Sequence, residues 1–186
     1  APSVVTAFLA ATATKVSIYA LLRLLFTVFG VEFSFAGHHL NIILMALATV
    51  GIVVASTVAI FQEDLKRMFA YSSIAQVGYM MLAISILSHN GVTAGIVHLF
   101  NHALMKGAIF LALGCVVFSI GSVELADLRG LGRRMPWTVA ALVLAGLGLI
   151  GVPATAGFVS KWYLVLAALE KGWWPVAVVV LLGSLL

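Results

Sequence analysis

Two histidines and a lysine stand four residues apart in HLFNHALMKGAIFL, His98 to Leu111, inside a run otherwise apolar enough to sit in lipid. A helix advances about 100° per residue, so His98, His102 and Lys106 drift by only about 80° over the set and form one polar stripe. Imidazole exchanges protons near neutral pH, and burial disfavours the charged form of an amine. The chemistry such a stripe offers is therefore proton relay. Its plainer use is a pair of histidines hydrogen-bonded to neighbouring helices. Histidines at this spacing also suit zinc, but no carboxylate or cysteine accompanies them on the stripe to complete a site. A haem held between them fails, because axial ligands approach from opposite faces of the ring. No metal site is expected.

Two more lysines lie inside apolar runs. A Lys or Arg at mid-helix costs about 2.5–3.5 kcal/mol on insertion scales, which makes each one a functional-site candidate. Lys15 lies near the middle of FLAATATKVSIYALLRLL, with Tyr19 and Arg23 following at four-residue steps on the same face. Arg23 can snorkel from nearer the helix end. Lys161 follows Gly151, Pro153 and Gly157 in GVPATAGFVSKWYLV. An anchor at the membrane interface would suit its neighbours Trp162 and Tyr163. However, LVLAAL stays apolar until Glu170, which places the interface there and Lys161 within the membrane. Tyr19, Arg23 and Lys66 are candidate supporting residues.

The elements that must carry these groups are membrane helices. Of the 186 residues, 63% are hydrophobic and only 9% charged, with a mean hydropathy of +1.20, against roughly 45–50% apolar content in soluble domains. Runs matching the roughly 20 residues of a spanning helix recur, and the ~10-residue alternating strands of a barrel do not. The expected fold is all-α, a polytopic transmembrane bundle. Its spans fall at about 3–29, 41–62, 68–88, 92–120, 137–170 and 173–186. An unbroken helix over 137–170 would overshoot a ~30 Å hydrocarbon core. Gly151, Pro153 and Gly157 mark its interruption, since Pro153 gives no bond to the Leu149 carbonyl. Non-helical backbone at that depth needs protein or water to receive its freed groups, as in the broken helices of transporters.

Successive spans alternate sides. Lys66, Arg67, Arg129, Arg133 and Arg134 then share one face, while Lys171 stands alone on the other. The positive-inside rule makes the connections at 62–67 and 121–136 cytoplasmic. Trp137, Trp173 and Trp174 fit interfacial belts. The formal charge of +4 comes with no basic run, RNA-binding aromatic motif or zinc spacing, so no nucleic-acid partner is expected. Cys115, the single cysteine, reads as a small buried hydrophobe. The chain starts on APSVV and stops within an apolar run, and it reads as part of a longer one. No dinucleotide-binding GxGxxG and no iron–sulfur cysteine set is expected in this polypeptide, which should therefore not perform redox chemistry alone.

With these residues in place, the chain resembles the antiporter-like membrane subunits shared by respiratory complex I (NADH–quinone oxidoreductase) and the Mrp-type multi-subunit cation/proton antiporters. The matching pieces are APSVVTAFLAATATKVSIYALLR at 1–23, DLKRMFAYSSIAQVGYM at 64–80, HLFNHALMKGAIFLALG at 98–114 and GVPATAGFVSKWYLV at 151–165. The resemblance implies two inverted five-helix repeats, each with a broken helix bearing a charged residue. The chain would begin on the last helix of the first repeat and run through most of the second. Lys15 then corresponds to the lysine linking two half-channels, Lys161 to the charged residue of the second broken helix, and His98, His102 and Lys106 to the polar helix between them. The member most like mitochondrial subunit 4 has glutamate where Lys161 stands, so the resemblance favours other complex I paralogues or an Mrp-type subunit. It further implies a multi-pass subunit, expected in a bacterial plasma membrane, moving protons along a mid-membrane Lys/His axis. The motion would be coupled to quinone reduction or to cation/proton antiport, with sodium also open as the exchanged ion. NADH, flavin, iron–sulfur clusters and quinone would belong to partner subunits, with no cofactor in this chain. The rival expectation is a non-conducting structural subunit with the same fold.

Overall fold

Two side chains decide where the central helices begin. Asp64 accepts the Arg67 amide at 2.9 Å and opens α3, Leu65–Ser85, while Ser88 accepts the Gly91 amide at 3.0 Å and opens α4, His89–Ile120. Each cap satisfies an amide with no partner inside its helix, so both helices start about three residues before their apolar runs. The computed structural model describes residues 3–37 and 39–185. Ala1, Pro2, His38 and Leu186, which fall in the expected opening, first connection and last span, lie outside the described residues.

The remaining helices are α1, Ser3–Arg23; α2, Leu40–Ile60; the short α5, Leu131–Arg134; α6, Pro136–Ile150; α7, Ala156–Glu170; and α8, Trp174–Leu185. α1 to α4 are long and apolar enough to cross a membrane, whereas α6 and α8 are shorter apolar helices. α4, at 32 residues, is ~48 Å long. α6 and α7 have 15 residues each, or ~22 Å. The connection after α1 is partly ordered by two π-helical turns, with buried Ser34 donating to the Leu25 carbonyl at 3.2 Å.

α4 is the hub, packed against α1, α3, α6 and α7. Two apolar clusters lie along it. In one, Ile52 of α2 meets Leu82 and Tyr79 of α3, Leu164 of α7 and Val180 of α8; in the other, Ile109 and Leu113 of α4 meet Ala7, Leu65 and Leu149. Small residues bring the backbones close, the usual device where lipid removes a hydrophobic drive between helices. A Cβ on Gly91 would stand 2.5 Å from the Ala83 carbonyl oxygen. The outside is apolar: Phe8, Phe100, Phe118 and Trp137 are all exposed. Cys115 also lies on this exposed side, not in the core as its apolar surroundings suggest. An apolar run around a full helix turn cannot tell lipid-facing from core-facing positions.

The connections expected to share a face do meet. Leu65 donates to the Val123 carbonyl at 3.1 Å and Leu125 to that of Glu63 at 3.0 Å, an isolated antiparallel bridge joining the ends of α2 and α4.

Candidate functional site

The interior of this apolar bundle holds Lys15, His98, His102, Lys106 and Lys161, all buried, with His102 and Lys106 fully so. Three helices deliver them. α1 contributes Lys15, the stripe of α4 contributes three groups, and α7 contributes Lys161 from its second turn.

The geometry follows from the break between α6 and α7. α6 stops at Ile150, Gly151 turns the chain in the left-handed region at φ +87°, and helix resumes at Ala156. Gly151 takes the Leu147 and Gly148 carbonyls. Pro153 has no N–H to give the Leu149 carbonyl. That carbonyl is met by the Lys161 Nζ at 2.7 Å, which also donates to the Ile150 carbonyl at 2.9 Å. The ammonium lies 4.8 Å from the centroid of the Tyr79 ring, a cation–π distance. Gly157 permits the crossing: a Cβ there would sit 1.8 Å from the Gly148 carbonyl oxygen. The helix-break residues thus fall into different roles. Gly151 makes the turn, Pro153 frees a carbonyl, and Gly157 lets the two half-helices touch.

Along α4 the imidazoles of His98 and His102 lie nearly parallel, 8° apart with centroids at 6.1 Å. His98 bonds on both sides, through Nε2 to Gln76 Oε1 and through Nδ1 to Ser160 Oγ, each at 2.8 Å. His102 has both ring nitrogens buried with no hydrogen-bond partner among the described residues. One turn on, Lys106 donates to the Phe69 carbonyl at 2.5 Å and to Ser72 Oγ at 2.6 Å, beneath the Phe69 ring. Lys15 donates to the Ala10 carbonyl of its own helix and lies within electrostatic reach of His98, His102 and Lys106.

A half-open cavity of about 300 Å³ lies beside this arrangement. Its lining includes Phe69 and Ser72, which receive Lys106, and Leu149 and Ile150, which receive Lys161, with Gln76, Ser56 and Ser184 adding polar side chains.

Gln76 and Ser160 were not singled out by spacing or motif, although both lie within quoted segments. A periodic signal was available, because Phe69, Ser72, Gln76 and Tyr79 recur at helical intervals on one face of α3. Of the supporting candidates, Tyr19 and Arg23 are exposed, whereas Lys15 is buried. Lys66 sits half-buried in the first turn of α3, at the end of the bundle. The sequence expectation of no dinucleotide motif needs one correction of detail. Gly146, Gly148 and Gly151 do spell GxGxxG, but the run closes a helix, whereas phosphate binding requires glycines that open one after a strand.

A helical membrane bundle with one discontinuous helix and buried lysines on facing helices defines a class. The family model described as NADH:quinone oxidoreductase/Mrp antiporter, transmembrane, matches residues 1–186, and the chain belongs to that family of multi-pass integral membrane proteins. It is 43% identical over 185 residues to NADH-quinone oxidoreductase subunit N of Desulforudis audaxviator, covering 100% of this chain and 36% of that protein. It is 34% identical over 194 residues to F(420)H(2) dehydrogenase subunit N of Methanosarcina mazei, covering 100% of this chain and 38% of the relative. Among solved structures, an archaeal membrane-bound sulfane sulfur reductase superposes with a TM-score of 0.89 at 39% identity, over 100% of this chain and 37% of that one. The Mrp complex from Dietzia sp. DQ12-45-1b does so with a TM-score of 0.84 at 28% identity, over 92% and 31%. The chain therefore spans little more than a third of the length of the curated relatives it matches.

Proposed function

We propose that this chain carries part of a proton path through a membrane subunit of a larger complex, with Lys15, His98, His102, Lys106 and Lys161 as its exchanging groups. One observation carries the reading: the acceptors of Lys106 and those of Lys161 line the same half-open cavity. Burial makes an ammonium costly, and a charge on one lysine raises the cost of charging the next. A proton arriving at one end therefore promotes release at the other, which couples the row to an external driving reaction without a cofactor in this chain. Imidazoles and amines supply exchangeable protons where a metal cation needs oxygen donors, which favours protons over sodium for this segment. In this reading the driving reaction, quinone reduction or antiport, belongs to partner subunits, and the excess of Lys and Arg puts the connections at 62–67 and 121–136 on the cytoplasmic side of a bacterial plasma membrane.

Lys161→Ala in the complete assembly tests this. Proton translocation in sealed vesicles should fall to background while the amount of assembled complex stays normal. Unchanged translocation at normal assembly would sink the relay and leave a structural subunit.

A further inference from the structure

We infer that Ser160 is the positioning residue that keeps His98 Nδ1 hydrogen-bonded whether it holds or has released a proton. The inference rests on the relay reading above and deepens it.

It follows from counting hydrogens around one imidazole. The Gln76 amide turns its NH2 towards the Leu149 carbonyl at 3.4 Å, so its oxygen faces His98. An amide oxygen only accepts, and His98 Nε2 must therefore carry hydrogen in every state. The proton that comes and goes is the one on Nδ1, 2.8 Å from the Ser160 hydroxyl. That hydroxyl has one hydrogen and two directions to send it, because the Gly157 carbonyl lies 3.0 Å from Oγ on the other side. With His98 neutral, Ser160 donates to Nδ1. With His98 charged, Nδ1–H donates to Oγ, and the hydroxyl turns to donate to Gly157.

Both states leave the imidazole fully bonded, and a hydroxyl rotation is what the arrival of one proton at Nδ1 asks of Ser160. In the relay step, an N–H bond of a neighbouring ammonium breaks and the Nδ1–H bond forms. The positive charge moves to His98 and a neutral amine remains behind. The groups around His98 are the Tyr79 ring on α3, 6.1 Å away edge-on, His102 and Lys106 on its own helix, Lys161 on α7 and the charge of Lys15 on α1. Among the described residues, only Ser160 offers Nδ1 a partner that can reverse its role. Gly157 also bears the approach that lets α6 and α7 touch, so the rotor's second acceptor is fixed at the break itself.

The test uses the full-length subunit in its complete complex. Ser160→Ala removes the rotor, and Ser160→Cys keeps its shape with a poor hydrogen-bonding group. Each should slow proton translocation about ten- to a hundredfold, the effect of losing one hydrogen bond to a charged group. Ser160→Thr, which keeps a hydroxyl, should restore most of the rate. Nitrogen-15 spectra of histidine-labelled protein, with His98 assigned through His98→Gln, should show neutral His98 protonated at Nε2 and hydrogen-bonded at Nδ1, the latter bond vanishing in Ser160→Ala. Wild-type translocation in Ser160→Cys, or neutral His98 protonated at Nδ1, overturns the inference, the latter whether or not any variant assembles. Lys161→Ala run beside these separates the readings. If it stops translocation while Ser160→Cys does not, the rotor alone falls; if it too is silent, the relay falls and the rotor with it.

Discussion

Gly157→Ala should separate the two half-helices that cradle Lys161. The added Cβ would stand 1.8 Å from the Gly148 carbonyl oxygen and 2.9 Å from its carbon, where ordinary contact begins near 3.4 Å. The obstacle is backbone, so no side chain can swing aside, and α6 and α7 must part by roughly 1.6 Å. The bonds from Lys161 to Leu149 and Ile150, now 2.7 and 2.9 Å, would then exceed hydrogen-bonding distance if the movement falls on the end of α6. Overpacking costs about 1–3 kcal/mol and a charge-assisted bond about 1.5–3 kcal/mol, so about 3–6 kcal/mol is at stake if one such bond is lost. Gly146→Ala is the control: it lies on α6, the facing half-helix, with nothing within 4 Å of its added Cβ, and it should be neutral or stabilising by up to about 1 kcal/mol. Thermal loss of the full-length subunit in detergent, followed by its folded fraction, should show a midpoint several degrees lower for Gly157→Ala only. Equal midpoints for Gly157→Ala and wild type would refute the reasoning, because they would mean that the half-helices do not meet at this carbonyl.

Two further outcomes are expected. Asp64→Ala should destabilise the start of α3 by about 1 kcal/mol, read as faster amide exchange at Arg67, while Asp64→Asn keeps the cap and the slow exchange. Cysteines placed at Arg133 and Lys171 in a background with Cys115 replaced by alanine should react with a membrane-impermeant maleimide from opposite faces of sealed vesicles, and labelling from one face would invert the proposed orientation.

What the sequence made legible and what it left hidden have distinct physical causes. The stripe His98, His102 and Lys106 was readable because helical period depends only on spacing along one chain. The break was readable at Gly151 and Pro153 because their backbone restrictions act locally. The starts of α3 and α4 were read a few residues late because apolar runs ignore the polar caps, Asp64 and Ser88, that begin them. Gln76 and Ser160 were missed because a glutamine or serine in an apolar helix has no meaning until its neighbour is known. Their partner His98 lies 22 residues from one and 62 from the other. Spacing groups Tyr19 and Arg23 with Lys15, but spacing along one helix does not say which of its positions the neighbouring helices cover, and of the three only Lys15 is buried.

The ends of the broken helix have one more consequence. Lys161 is held at the carboxyl end of α6, where unpaired carbonyls carry a partial negative charge equivalent to about half an electron. Its counter-ion is therefore backbone. A carboxylate in that position could take the proton and hold it, becoming neutral just as the lysine did. A row of carbonyls has no such second state, so it cannot trap what the ammonium gives up.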